Sequence, residues 1–347
     1  MSNTRSLPFI NTADQLEDHL SAPSDEDVAA VSSLDGDILV LGAAGKMGPS
    51  LCRLAARAIS EAGLRKRVIA VARFSDTQVR RDLERSGVQT VTCDLLEPGA
   101  LAQLPNVPNV IFMAARKFGT SGSEHITWAM NTFLPGLVAE RFRDSRIVAF
   151  STGNVYPLVP VDSGGAKEST PVAPIGEYAQ SALGRERMFE YGSAKWGTPV
   201  TIVRLNYAVE LRYGVLVDIA LKVLNREQVD VSMGYVNVIW QRDANSVSLR
   251  SLAHCQSPPF VLNLTGRETL AVRDVAKQFG KRLGVEPIFS GQESGKALLS
   301  NATKADTLFG QGTVSADQLI DWIAHWITHD GALLNKPTHF EVQDGKF

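Results

Sequence analysis

The feature that most constrains this chain is a glycine-rich turn between an apolar run and a helical pattern. The run DILVLG ends at Gly42, and the turn continues as Ala-Ala-Gly45-Lys-Met-Gly48. In dinucleotide-binding folds, the first glycine permits a tight turn, the second lets the backbone approach a pyrophosphate, and the third lets helix and strand pack closely. The amino end of the helix then offers free amide groups to the phosphates. A plain strand-to-helix turn is the alternative. The predicted cofactor contacts in the turn are Gly42, Ala44, Gly45, Lys46, Met47 and Gly48.

Apolar runs and helical patterns alternate along the next 160 residues. The predicted strands span 67–74, 88–95, 109–115, 146–152 and 198–206, and the predicted helices between them span 77–86, 128–142 and 177–191. Strands that alternate with helices indicate a parallel sheet covered on both faces, and fully apolar strands suit such a sheet. The sequence therefore predicts an α/β protein with a Rossmann-type, doubly wound parallel sheet.

The flanking regions differ from this core in composition and in the regularity of their strand and helix patterns. Residues 1–36 are polar and acidic, with predicted helices at 12–20 and 24–34, and are interpreted as an extension that packs against the main domain. Residues 37–205 form the predicted dinucleotide-binding domain. After residue 206 the alternation becomes irregular, with helices predicted at 215–224 and 270–283 and a strand at 235–240. Residues 331–347 are expected to be a tail that lies over the surface.

The bulk properties exclude several classes of protein. The formal net charge is -2 over 347 residues, without the positive excess of a nucleic-acid-binding protein. The amino-terminal residues lack the pattern of a secretory signal, and no apolar run approaches the roughly 20 residues that span a bilayer. Three cysteines, Cys52, Cys93 and Cys255, lie far apart and in no metal-ligand spacing. We therefore expect a cytoplasmic protein without a metal site, whose partner is a small molecule and not nucleic acid or a membrane.

Two residues bear on the choice of cofactor. An acidic residue at the end of the second strand typically binds the ribose of NAD, whereas an arginine accommodates the 2′-phosphate of NADP. This chain has Arg73 there and no carboxylate, which favours NADP, although Arg73 stacked on the adenine is an alternative. Asp94, after the third strand, is placed to bind the adenine amino group or to cap a helix.

With these features in order, residues 37–327 resemble the extended branch of the short-chain dehydrogenase/reductase superfamily, the nucleotide-sugar epimerase/dehydratase-like proteins. The residues that carry the resemblance follow the glycine motif along the chain: Asp94-Leu95, Ala114-Ala115, Asn131, Ser151–Tyr156, Glu168, Pro171, Arg204, Asn206, Asn263–Gly266 and Val272–Val275. The resemblance implies NAD(P) as the cofactor and a smaller, carboxy-terminal substrate-binding domain, mainly residues 206–330, with some segments that return to the first domain. A homodimer is a candidate assembly.

The resemblance also implies roles for particular residues. Leu95, Ala114, Ala115 and Asn131 would join the cofactor contacts, while Asn154 and Asn206 would contact the substrate. Thr152 would orient the substrate oxygen and Tyr178 would carry its proton. The implied function is oxidation, reduction or epimerisation at a hydroxyl or carbonyl centre of a sugar or sugar-acid-like molecule.

The sequence departs from the family pattern at one catalytic position. The family has a lysine four residues after the tyrosine, where this chain has Ala182. A tyrosine side chain in water titrates near pH 10, so a phenol that acts as a base near neutrality needs about 4 kcal/mol of help, for which a nearby cation is one source. Lys117, Arg116 or Arg185 are candidate substitutes, or the charge of the oxidised nicotinamide suffices. A non-catalytic, dinucleotide-binding regulatory protein remains the alternative.

Overall fold

A sheet of seven parallel strands forms the centre of the protein, in a computed structural model that describes residues 8–345. In chain order the strands are β1 (Ile38–Leu41), β2 (Val68–Ala72), β3 (Gln89–Thr92), β4 (Asn109–Phe112), β5 (Arg146–Thr152), β6 (Val159–Pro160), β7 (Val200–Leu205), β8 (Ala208–Val209), β9 (Gln228–Asp230), β10 (Tyr235–Val236), β11 (Ile239–Trp240), β12 (Phe260–Leu264), β13 (Leu270–Ala271), β14 (Ile288–Ser290) and β15 (Lys296–Ala297). The large sheet has the order β12-β7-β5-β4-β1-β2-β3. This confirms the predicted doubly wound sheet, whose strand order reverses between β1 and β4.

Helices cover both faces of the sheet. In chain order they are α1 (Ala13–Ser21), α2 (Asp25–Ser33), α3 (Gly48–Glu61), α4 (Thr77–Arg85), α5 (Glu124–Trp128), α6 (Leu134–Arg141), α7 (Gly176–Trp196), α8 (Val215–Leu224), α9 (Gln241–Arg250), α10 (Val272–Leu283), α11 (Thr303–Phe309) and α12 (Ala316–Thr328). On one face, Leu51 of α3 and Leu249 of α9 pack with Val40 of β1. On the other, Val138 of α6 and Phe189 of α7 pack with the strands. Burial on both sides explains why the strands are continuously apolar.

The amino-terminal extension is bound to the rest of the molecule. Helix α2 begins with a capping box, in which the Ser24 hydroxyl accepts the Asp27 amide (3.3 Å) and the Asp27 carboxylate accepts the Ser24 amide (2.9 Å). The Asp27 carboxylate is fully buried and also forms an ion pair with Arg242 of α9 (3.0 Å). Both α1 and α2 pack on α3.

A second apolar cluster lies among the elements after β7. It joins α8, α10 and α12 with Leu16 and Leu20 of α1, and it also includes Phe340 from the tail. Strand β12 of this region pairs with β7 in the large sheet, so the chain returns there after leaving it.

Two predicted elements differ from those observed. The strand predicted at 235–240 is two short strands, because β10 pairs with β13 and β11 pairs with β8. Between them, the Asn237 side chain forms hydrogen bonds with the Asn206 side chain (2.8 Å) and the Ser300 carbonyl (2.7 Å). The helix predicted at 128–142 begins earlier, at Glu124, and passes through a π-helical turn at Ala129–Phe133 before α6. Among the described helices, none is long and apolar enough to span a bilayer.

Candidate active site

The glycine-rich turn lies at the carboxyl edge of the sheet, where the strand order reverses. Gly42 has φ +87, and a Cβ there would lie 2.5 Å from the Ala114 nitrogen. A Cβ on Gly48 would lie 2.3 Å from the Ala43 carbonyl oxygen. Both glycines are therefore required by the chain's own packing, which is the tight-turn and helix–strand role that the sequence predicts for them.

Gly45 is different, because the protein itself leaves room for a side chain. It is exposed, and an added Cβ would meet only the Gly42 carbonyl oxygen, at 3.4 Å. The helix that follows has no side-chain cap on its first amides. An open glycine beside uncapped helix amides suits the close approach of a phosphate group. These residues fit the pyrophosphate of a dinucleotide.

A cavity of about 390 Å³ lies on one side of this turn. The predicted cofactor residues that line it are Gly42, Ala44, Gly45, Arg73, Asp94, Leu95, Ala114 and Ala115. Arg73 is exposed at the end of β2. One Asp94 carboxylate oxygen accepts the Leu96 amide (3.1 Å), a capping contact.

A second cavity, also of about 390 Å³, lies on the other side of the turn. The predicted residues that line it include Lys46, Met47, Gly48, Thr152, Asn154, Tyr178 and Asn206. Gly42, Gly45, Met113 and Ala115 line both cavities, so the two cavities adjoin at the turn. We call this second space the reaction cavity.

Asn131 reaches neither cavity. Its side-chain oxygen accepts the Arg116 amide (2.8 Å) and Arg185 (3.0 Å), and its nitrogen donates to the Arg116 carbonyl (2.8 Å) and to Ser181 (3.0 Å). All these contacts are internal, so Asn131 holds the chain after β4 against α7.

Arg185, one of the candidate cations, belongs to the same hydrogen-bond network. Its side chain is buried and lines the reaction cavity, and it donates to the Phe150 carbonyl (2.7 Å). Burial lowers the pKa of Arg185.

Thr152 and Tyr178 face the reaction cavity from β5 and α7. The Thr152 hydroxyl oxygen accepts the backbone amide (3.2 Å) and the side-chain nitrogen (3.0 Å) of Asn154. With both acceptor positions used, its proton is left to donate elsewhere. Tyr178 is 8% exposed.

Ala182 does not leave a vacant space in the cavity lining. It is fully buried in an apolar cluster with Val155, Tyr156 and Leu298. Lys117 approaches the Tyr178 ring, with its Nζ 5.8 Å from the ring centroid, and the buried Arg185 guanidinium also interacts electrostatically with Tyr178. Lys117 follows β4 and donates to the Thr338 carbonyl (3.3 Å). Burial lowers the pKa of Lys117 to about 8.

Helix α7 is fixed to the sheet by a buried ion pair. Arg204 of β7 donates twice to the Glu186 carboxylate (3.0 and 2.7 Å), and Ser151 donates to the same carboxylate (2.5 Å). Arg204 also donates to the Tyr156 hydroxyl, which donates to Asn263 (2.8 and 2.7 Å). This network sets the position of the helix that carries Tyr178.

Sequence reasoning missed part of the cavity lining. Tyr207, Tyr213, Gln241 and Thr338 line the reaction cavity without having been predicted as site residues. Thr338 belongs to the tail that was expected on the surface; its amide and hydroxyl donate to Asp218 of α8 (2.8 and 2.6 Å). Nothing in the local sequence of the tail indicates a site more than 150 residues away.

Among the described residues, no cluster of histidine, cysteine and carboxylate side chains is arranged to hold a metal.

Comparison with known proteins finds one family model that matches part of this chain and several solved structures with a similar fold. A model described as "NAD dependent epimerase/dehydratase family" matches residues 38–209. UDP-glucose 4-epimerase from Thermotoga maritima, solved with UDP-glucose, has a TM-score of 0.68 at 18% identity over 85% of this chain and 99% of that chain. UDP-glucuronic acid 4-epimerase from Bacillus cereus, solved with UDP-glucuronic acid and NAD, has a TM-score of 0.70 at 19% identity over 84% and 99%. At this identity the likeness shows a shared fold. No curated protein sequence matches the chain.

Proposed function

Residues 38–209 of this chain belong to the NAD dependent epimerase/dehydratase family, a family of enzymes, and on that premise we propose that the protein is an NAD(P)-dependent oxidoreductase or epimerase. Its substrate is a sugar or sugar-acid-like small molecule with a reactive hydroxyl or carbonyl centre. The observation that carries the proposal is that two cavities adjoin at the glycine turn, with Thr152 and Tyr178 lining the second of them. The first cavity would hold the adenine half of the cofactor, and the bound nicotinamide would supply hydride chemistry in the second.

Thr152 and Tyr178 divide the work on the substrate oxygen. The Thr152 hydroxyl, which accepts both Asn154 hydrogen bonds, donates its proton to that oxygen and orients it. Tyr178 Oη takes the hydroxyl proton as the carbon is oxidised and returns it on reduction.

Lys117 supplies the positive charge that the family places four residues after the tyrosine. Its Nζ lies 5.8 Å from the Tyr178 ring centroid and is held by the Thr338 carbonyl. A cation near a phenol favours the deprotonated form. Lys117, in the loop after β4, therefore takes the role that the family gives to a lysine on the tyrosine helix. Arg73 occupies the position directly after β2, where NAD-binding folds typically have an acid, and this supports a preference for NADP; Asp76 and Asp94 line the same cavity. The three free thiols agree with the cytoplasmic location that the composition predicts.

The experiment is a comparison of substitutions at Tyr178 and Lys117. A panel of sugars, lactones and sugar acids is first screened for cofactor reduction or epimerisation. We expect Tyr178→Phe to retain NAD(P) affinity by calorimetry and to lose about 10²–10⁴-fold in kcat, while Tyr191→Phe, on the exposed side of the same helix, is unchanged. Lys117→Met should move the pH–rate profile to higher pH, and Lys117→Arg should restore it.

A second candidate function is a non-catalytic dinucleotide-binding protein. It is favoured by one observation, the burial of Ala182 among apolar side chains where the family has a lysine. Cofactor binding with no turnover across the panel would support this candidate over the enzyme. Wild-type turnover in Tyr178→Phe would contradict the proposed proton carrier.

A further inference from the structure

Lys46 belongs to the glycine turn, but its side chain extends into the reaction cavity. Its Nζ lies 3.1 Å from the centroid of the Tyr213 ring and 5.1 Å from that of Phe118. Both rings lie in the lining of the reaction cavity, and neither lines the cavity that contains Arg73. The Lys46 ammonium is therefore on the side where Thr152 and Tyr178 act.

Lys117 approaches the same space from the loop after β4. Its Nζ lies 5.2 Å from the Phe118 centroid, so the two ammonium groups share one aromatic neighbour. Both side chains are half-buried. Among the described residues, no carboxylate lies within ion-pair distance of Lys46, and the nearby Asp218 is hydrogen-bonded to Thr338.

The surroundings of Lys46 disfavour its ammonium form. Burial, followed by the charge of Lys117, lowers the pKa of Lys46 to about 7. A like charge in a partly desolvated space disfavours the ammonium form of Lys46, and an anion bound beside Lys46 would favour it. Lys46 is therefore a candidate binding group for an anionic ligand, and it lies in the same cavity as the proposed catalytic residues.

The size of the anion is limited by the tail. Thr338 is fixed to Asp218, and Phe340 is buried in the cluster that includes α8 and α12. The reaction cavity of about 390 Å³ lies near the lower end of the range that holds one drug-sized ligand. Since this space must also admit the nicotinamide end of the cofactor, it favours a compact substrate over a nucleotide sugar.

We propose that Lys46 and Lys117 select a compact substrate with a carboxylate next to the reacting hydroxyl or carbonyl carbon, the class of free sugar acids. The inference rests on the proposed function and names the substrate class of the same site. In this proposal Lys117 stabilises both the deprotonated Tyr178 and the substrate carboxylate, whereas Lys46 binds only the carboxylate. Lys46 is therefore the residue on which the proposal is tested.

The experiment measures binding and turnover of matched pairs of probes. C5 and C6 aldonates and uronates are compared with the corresponding aldoses, alditols and aldonamides, in the presence of saturating NAD(P), and UDP-glucose and UDP-glucuronic acid form a third arm. We expect the free acids to bind at least tenfold more tightly than their uncharged partners. Lys46→Met should remove that difference, Lys46→Arg should keep it, and Lys195→Met, an exposed lysine near the end of α7, should leave it unchanged.

The pH dependence gives an independent readout. The pKa of Lys46 is set by burial and by Lys117 and Lys336, which disfavour its charge, and by Asp218 and Glu210, which favour it. Since the anion needs the ammonium form, affinity for the acid should fall as pH rises above about 7 in the wild type. In Lys46→Arg the guanidinium stays charged, so the fall near pH 7 should disappear.

The outcomes separate this inference from the proposed function. Turnover of uncharged sugars as good as that of the acids would overturn the inference and leave the oxidoreductase intact. Equal losses of NAD(P) affinity and acid affinity in Lys46→Met would assign the ammonium to the cofactor pyrophosphate and also overturn it. Selective turnover of the nucleotide sugars would assign the anion to a diphosphate and contradict the compact substrate. Loss of cofactor binding in the wild type would instead reject the proposed function.

Discussion

At the scale of single residues, three glycines in one turn are required for different reasons. Gly42 and Gly48 have backbone atoms where a side chain would lie, whereas the space next to Gly45 is open. The identical residue type thus serves packing at two positions and ligand approach at the third. The sequence motif predicts different roles for the three positions, and the structure gives the contacts at Gly42 and Gly48 that make a side chain impossible there.

We predict that substitutions in this turn separate binding from folding. Gly45→Val should retain the wild-type melting temperature and lose NAD(P) binding by calorimetry, because its branched side chain occupies the space of the pyrophosphate. Gly48→Val should lower the melting temperature itself, since its Cβ would meet the Ala43 carbonyl at 2.3 Å. Equal cofactor affinity in wild type and Gly45→Val would reject the assigned phosphate site.

Arg73 carries the prediction on cofactor choice. If its guanidinium meets the 2′-phosphate, NADP binds more tightly than NAD, and Arg73→Ala removes most of the difference while NAD affinity changes little. Competitive titration of the two cofactors on both proteins measures this. Arg81→Ala, an exposed arginine on α4, serves as the control. A wild-type preference for NAD would mean that Arg73 does not bind the 2′-phosphate; it would then either stack on the adenine or make no contact with the cofactor.

At the scale of elements, α7 is the helix whose placement matters most, and its anchor is the Glu186–Arg204 pair. Side-chain exposures of 0% and 6% show that this pair is buried, unlike the Arg187–Glu190 pair on the exposed side of the same helix. Removing one partner of a buried pair leaves an uncompensated charge, which costs about 3–5 kcal/mol. An exposed pair contributes about 0–1 kcal/mol.

We therefore expect Glu186→Ala to lower the free energy of unfolding by about 3–5 kcal/mol. Arg187→Ala, the matched control, should change it by less than about 1 kcal/mol. The double variant Glu186→Met with Arg204→Met should recover much of the loss, because neither charge is then left alone. Denaturant titrations of the four proteins test this, and equal effects of Glu186→Ala and Arg187→Ala would contradict it.

Elements with a strong pattern were predictable from sequence, and those defined by distant side chains were not. The α8 bounds agree with the predicted 215–224, because an apolar face at helical spacing is a local signal. The break between β10 and β11 depends on pairing with two different strands, β13 and β8, which the local sequence does not contain. The position of Ala182 was found by the family pattern, but the apolar surroundings that fill it were not.

At the scale of the whole molecule, the tail connects the last residues described with the reaction cavity. Lys117 donates to the Thr338 carbonyl across 221 positions of sequence, and Phe340 is 1% exposed. Its glycine, proline and asparagine content suggested only a surface segment. Docking of a tail depends on the shape of a completed domain, which no local pattern encodes.

Phe340 provides the test of that docking. Phe340→Ala should lower the stability of the tail by about 3–5 kcal/mol, the cost of truncating a buried phenylalanine. Amide exchange should then accelerate around Thr338, and the KM for the substrate should rise as the cavity opens. Phe133→Ala, at a side chain that is 60% exposed, should change both by little. Unchanged exchange in Phe340→Ala would mean that the tail is held by other contacts.

The residues shared by the two cavities have a kinetic consequence. Gly42, Gly45, Met113 and Ala115 belong to both linings, so a dinucleotide lying across the turn becomes part of the wall that an arriving substrate meets. The substrate surface is then complete only after the dinucleotide has bound. For a net oxidation or reduction, steady-state rates should follow a compulsory order of addition, with the dinucleotide as the first reactant to bind and the last product to leave.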